Sequence, residues 1–278
     1  MLLKIFMFNI LLPAMLSGAG FLFVWFLEKR GKRGVKWVIS LGILLGYMIG
    51  YVGIQGWPQF PPSDPSTGWF VYIGLATLIL SLAESGWKNR WWIVIIGRAI
   101  FTILVCLVML SPLVRYTWSM PETIFRVATF TVISLIFWNI IDSIRKDLSP
   151  GLLGLFLTIF ATASSIVILL SHSILLAQLV GLVAATMGAL TAVNWVFPRV
   201  SSDSTMTGLV SVLIIVHAMS AVSYADMPGW SALLLAAAPA AALLIWQRGQ
   251  STKERLFGFL VSLAIEGIAI VLTFITLS

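Results

Sequence analysis

The sequence predicts an all-helical, polytopic membrane fold of about ten spanning segments joined by short loops, and three observations carry that prediction. The chain is more apolar than a soluble fold of its length can hide, with 60% of its 278 residues hydrophobic, 10% charged and a mean hydropathy of +1.04. Its apolar residues fall into ten runs, each close to the roughly 20 helical residues that cross about 30 Å of hydrocarbon. Its 12 tryptophans gather near the ends of these runs and avoid their centres, where amphipathic rings at the headgroup level belong.

The runs lie near 5–27, 36–55, 69–85, 92–114, 122–142, 152–170, 174–196, 207–224, 229–246 and 256–277. The first opens with a lysine, an apolar core and small residues, as a signal peptide does. Phe21 to Leu27 extend it, and Lys29, Arg30, Lys32 and Arg33 follow at once. That is a stop pattern, so a retained first span is expected, bent at Pro13. Between the second and third runs lies GWPQFPPSDPSTGW, with Pro58, Pro61, Pro62 and Pro65 in eight residues. Proline restricts itself and the residue before it, which predicts a stiff, polyproline-like connector anchored by Trp57 and Trp69. Its proline spacing matches ligands read by cytosolic modules, a weak signal. As a lid or docking surface, its only ionisable group is Asp64. Ser171, His172 and Ser173 make a tight break between the sixth and seventh runs. Pro239, inside AAAPAAALL, predicts a kink in the ninth and is the hinge candidate.

Lysine and arginine in short loops resist translocation and so set orientation. The odd-numbered loops hold Lys29, Arg30, Lys32, Arg33, Lys36, Lys88, Arg90, Arg145, Lys146, Arg199, Arg248, Lys253 and Arg255, which is 13 of the 17 basic residues. The other side holds Lys4 and Arg115. Both termini and the proline loop are therefore expected outside the cytoplasm, in a plasma membrane of the bacterial inner-membrane type. The net charge of +7 is explained by this topology, and without a polar surface to carry a phosphate-binding face, nucleic acid is excluded as a partner.

The chain reads as one transmembrane domain, 1–278, in two five-span halves. Residues 1–149 are rich in aromatic and charged groups; residues 150–278 are rich in small ones. Thr158, Thr162 and Ser165, Gly181, Ala185 and Gly188, and Gly258 and Ser262 recur at helical spacing, which lets backbones approach closely. Tight packing and any internal cavity are expected there. Five plus five is the arithmetic of an inverted repeat, but the halves show no internal similarity.

Ionisable groups inside a span cost at least about 2.5–3.5 kcal/mol, so the functional search starts with them. Arg98 and Glu84 lie near the inner ends of adjacent spans and predict a structural pair or a snorkelling arginine. Glu122 and Arg126 have the spacing of a helix-face ion pair. Glu266 and His217 each fall about ten residues into a span, at nearly the same depth. In contact they could relay a proton or hold a cation, with Ser220 and Ser262 as further ligands; apart, each could be a structurally satisfied group.

Cys106 is a lone cysteine in an apolar run and offers no disulfide or redox pair, and the sequence suggests no metal site and no cofactor. No GxSxG, HExxH, P-loop or GxGxxG motif is present, so no catalytic residue is nominated and an enzyme is not expected. The expected partners are membrane lipid, a small solute or proton, and other membrane proteins. Two functions follow: a permease-like transporter working through the C-terminal half, with Glu266 and His217 coupling, or a non-catalytic membrane subunit docked through the proline loop or the Lys29 to Lys36 cluster.

Overall fold

A computed structural model describes residues 7–30, 36–87, 90–197, 204–248 and 252–277. Its regular secondary structure is entirely helical among these residues. A π-helical turn, Met7–Leu11, leads into α1 (Leu12–Lys29), followed by α2 (Trp37–Gln55), α3 (Phe70–Gly86), α4 (Trp91–Met109), the short α5 (Ser111–Tyr116), α6 (Met120–Asp147), α7 (Pro150–Leu170), α8 (Ile174–Val196), α9 (Ser204–Tyr224), α10 (Gly229–Arg248) and α11 (Thr252–Leu277). Nine of the described helices are long and apolar enough to cross a membrane; the tenth, α3, is apolar but has 17 residues. The protein is a polytopic helical membrane protein.

The expected spans each appear, with two local differences traceable to proline. The fourth run stops at Met109, because Pro112 has no N–H for the helical ladder and its ring crowds the preceding turn. The chain resumes as α5 with Pro112 in the first turn, where no N–H is needed. Pro13 occupies the first turn of α1, where the ladder changes from π to α, and so marks a junction instead of a bend. Pro239 lies within a helix that continues through it. Lys4, Lys32, Arg33, Lys88 and Arg199, part of the orientation argument, lie outside the described residues.

Short connections make successive helices antiparallel neighbours. The pairs α7 with α8, α10 with α11 and α1 with α2 pack most extensively. Alternation brings Lys29, Arg30, Arg90, Arg145, Lys146, Lys253 and Arg255 to one end of the bundle, the basic end, and the proline loop to the other. The close approach expected of the second half is matched in the first: a Cβ on Gly20 would meet the Gly42 backbone at 3.2 Å, and one on Gly46 would meet the Pro13 carbonyl at 2.7 Å. Gly42 and Gly46 on α2 carry this contact with α1, and Gly50, four residues on, makes room for Leu182 of α8.

Helix α9 is the axis of the bundle. It packs against α2, α3, α6, α7, α8 and α10, and 83% of its spanning window is buried. Helix α11 is its opposite, resting on α10 and α7 with 22% of its window buried.

Candidate functional site: a polar column along the central helix

A helix apolar enough to span and buried on all sides has no water to satisfy its polar side chains, so each must find a protein partner or remain bare. On α9 these partners form a column from one end of the bundle to the other. At the basic end, Ser40 of α2 donates to Thr205 at 2.8 Å, and Thr207 donates to Asp142 of α6 at 2.6 Å. Asp142 leads into a charged cluster. Arg98 of α4 makes a forked pair with Glu84 of α3, Nε to Oε1 at 2.9 Å and Nη2 to Oε2 at 2.8 Å. The same Nη2 reaches Asp142 at 2.6 Å, Nη1 reaches Asn139 at 3.2 Å, and the guanidinium lies 4.4 Å from the Trp138 ring centroid.

The Arg98 and Glu84 side chains are 4% and 7% exposed, so this is a buried ion pair with nearly every valence used. Arg145, 3.8 Å from Asp142, balances the second carboxylate. The pairing of Arg98 with Glu84 follows the sequence expectation. Asp142 was read there as the end of a span, yet α6 runs on to Asp147 and carries Trp138, Asn139 and Asp142 inward as one face.

One turn further along α9, Ser211 Oγ is buried without a hydrogen-bond partner among the described residues, as is Ser81 Oγ on α3. Gly208 makes room here: a Cβ would fall 2.6 Å from Ser81 Oγ and 2.9 Å from the Trp138 ring. His217 follows, fully buried. Its Nδ1 faces the Leu213 carbonyl of its own helix, and its Nε2 is 3.0 Å from the Tyr47 hydroxyl of α2. Phe70 packs on the imidazole with ring centroids 4.2 Å apart. With one nitrogen against a carbonyl, the neutral tautomer carries its proton on Nδ1 and accepts from Tyr47 at Nε2.

The column ends at the proline loop. Ser220 donates to the Ser66 carbonyl at 2.6 Å, and Thr67, 1% exposed, joins Gln55 at 2.8 Å and Asp64 at 2.6 Å. The extended strut expected from the prolines thus gives way at Asp64 to a compact turn. Asp64 Oδ1 accepts from the Ser66 N–H and hydroxyl, and the Asp64 carbonyl accepts from Gly68 N–H at 3.0 Å. Burial pushes the Asp64 carboxyl up, but its bonds from Thr67 and Ser66 prevail and hold it below its ordinary value. Pro58 lends its carbonyl to Tyr72, Phe60 stacks edge-on against Trp69 and Tyr72, and Pro61 follows a cis peptide bond. Pro62 packs against Gly68, and Pro65 opens the turn. The loop caps the column.

Glu266 stands elsewhere. Ser231 of α10 bonds Thr273 of α11 at 2.9 Å, and Trp246 Nε1 donates to the Arg255 carbonyl at 2.8 Å. This antiparallel register sets Glu266 across from residues 235–238, within a turn of Pro239. Its Oε1 accepts from Ser262 at 3.1 Å, and its Oε2 is buried with no partner among the described residues. Equal depth does not bring His217 and Glu266 together, because α9 is central and α11 packs outside it. Ser220 and Ser262 likewise bond Ser66 and Glu266 separately. Glu122 and Arg126 form the helix-face pair at 2.9 Å, with side chains 39% and 41% exposed.

No family model matches the sequence, no curated protein matches it, and no solved structure matches the fold. The class that stands on the fold and composition is a multi-pass helical membrane protein.

Proposed function

We propose that the protein is a permease for a small solute or proton, whose route follows the polar column of α9. The observation that carries this reading is His217: an ionisable ring buried at the centre of the bundle, hydrogen-bonded across to Tyr47, with a charged cluster towards one end and a folded loop at the other. Intramembrane ionisable groups facing a bundle interior mark ion and substrate pathways. The bare hydroxyls of Ser211 and Ser81 supply bonding capacity that the resting protein leaves unused. The conformation is closed, with the proline loop as the outer gate and the Arg98 cluster as the inner one. Both halves supply the route, since Tyr47, Phe70, Ser81 and Arg98 come from the first. Pro239 and Glu266 form a hinge unit beside it, where proline removes the N–H that the Leu235 carbonyl would receive.

Reconstituted vesicles test this. Under a pH step with a trapped dye, and under osmotic steps of small polar solutes, protein-bearing vesicles should pass protons or one solute faster than empty ones, and His217→Ala should abolish the difference. Flux no faster than in protein-free vesicles would sink the permease reading. Equal flux in wild type and His217→Ala would remove the histidine from the route. Transport unchanged in Glu266→Gln would remove Glu266.

A second reading, a non-catalytic subunit, has one observation of its own. The outer face of α7 and α8 leaves an open groove of about 800 Å³ lined by Thr158, Thr162, Ser165, Gln178, Gly181 and Gly188. Small and weakly polar residues in that setting suit packing against another membrane helix. Native mass spectrometry from lipid nanodiscs separates the readings, because a subunit copurifies with a stoichiometric partner.

A further inference from the structure

A second cavity lies outside the column and faces the lipid. It opens between α6 and α10 in the half nearer the proline loop, with α9 as its floor, and holds about 410 Å³. That is within the range of about 300–1,000 Å³ that ligand cavities occupy. Its walls are apolar, among them Phe130, Phe137, Met219 and Leu235. Along α6 it reaches from Glu122 to Phe137, which at 1.5 Å per residue is roughly 22 Å. One leaflet of hydrocarbon is about 15 Å deep, so the crevice runs from the headgroup level past the foot of a leaflet. Spread over that length, the space is roughly 7–8 Å from wall to wall, still narrower than a helix of about 10–12 Å with its side chains. A single hydrocarbon chain has the right shape.

The mouth is chemically different. Arg126 sits there on the first turns of α6, its Nε and Nη2 both 2.9 Å from Glu122 Oε1 and its guanidinium 4.7 Å from the Trp118 ring centroid. Its Nη1 has no partner among the described residues, and the side chain is 41% exposed. Glu122 and Trp118 therefore hold one fork of the guanidinium and leave the other towards the headgroup level, where arginine is suited to a phosphate oxygen.

We propose that this crevice binds one acyl chain of a membrane glycerophospholipid, with the lipid phosphate on Arg126. The site is separate from the column and does not depend on the permease reading. It explains why an apolar cleft can stay open between two spanning helices: its occupant is the solvent of the fold.

The test uses the full chain in phosphatidylcholine vesicles doped with phosphatidylglycerol that carries a diazirine midway along its palmitoyl chain. After illumination, adducts should concentrate on residues 130–137, 214–222 and 232–236. Ala232→Trp, or Ala218→Leu should the first variant not remain monodisperse, should cut those adducts by an order of magnitude while leaving labelling at exposed Ile79 and Leu260 unchanged. Labelling spread evenly over lipid-facing positions, or unaffected by both fillings, would overturn the site. Arg126→Gln paired with Glu122→Gln should lower labelling by the phosphatidylglycerol probe several-fold and leave labelling by a diazirine fatty alcohol unchanged. No change with either probe would overturn the phosphate contact, and crosslinks between two protein copies through these residues would replace the lipid with a second chain.

Discussion

Helices α9 and α11 both carry one ionisable residue near mid-length, yet the two residues live in different worlds. On α9, His217 is walled by Tyr47 and Phe70, and the polar groups at Thr205, Thr207 and Ser220 are bonded to other parts of the bundle. On α11, Glu266 is held by a serine one turn away on its own helix, and its second oxygen is bare. The difference is one of packing order. A helix surrounded by others has several interfaces across which polar groups are answered, and those answers tie the bundle together; a helix resting on one face has few, and beyond the Thr273 bond to Ser231, Glu266 is answered on its own helix. Depth along the membrane normal says nothing about which case applies.

The sharpest way to break this contrast is at the basic end. Arg98→Met strands Glu84 and Asp142 in a buried site, and removing one partner of such a pair costs about 3–5 kcal/mol. Reversible unfolding in mixed micelles should show that loss; one below about 1 kcal/mol, the worth of an exposed pair, would mean the cluster is wet. Next comes Tyr47→Phe, which leaves His217 Nε2 without its donor and should cost about 1–3 kcal/mol by the same measurement. On α11 the effect should shrink. Glu266→Gln keeps the shape and an acceptor for Ser262, so the loss should stay near the roughly 0.6 kcal/mol typical of a membrane-helix hydrogen bond. A loss as large as that of Arg98→Met would erase the distinction between the two helices.

The smallest effect belongs to Asp64. Its folded-state pKa lies below the ordinary 3.8, so its stabilisation of the loop is complete above that value and is lost as pH falls through the folded pKa. Tryptophan fluorescence from Trp57 and Trp69 should report an acid transition below about pH 4 that Asp64→Asn shows no longer, being released already at neutral pH. A transition that persists unchanged in Asp64→Asn would assign it to another group.

The helices were legible because hydrocarbon thickness imposes a length and burial imposes a composition, and neither depends on neighbours. Arg98 with Glu84 was legible for a related reason: a short loop forces two consecutive spans together. Tyr47, Phe70 and Asp142 were not, because their roles arise from contacts between helices far apart in the chain, and apolar periodicity is silent about which helix faces which. The Gly42, Gly46 and Gly50 spacing was the one overlooked local signal, a close-packing motif in the half expected to be looser. The proline loop misled in the other direction. Its prolines argue for extension, but an Asp64 side chain two residues before Ser66 and a buried Thr67 close the turn.

The central claim is that the α9 column opens to water during function. Ser211→Cys and Ser220→Cys, each in a Cys106→Ala background, can be treated in vesicles with a membrane-impermeant charged thiol reagent. A route predicts that both thiols react at least an order of magnitude faster than a thiol at buried, apolar Val210, from one side of the membrane or the other. Reaction no faster than at Val210 from either side would mean that the column is permanently dry, and would contradict the permease.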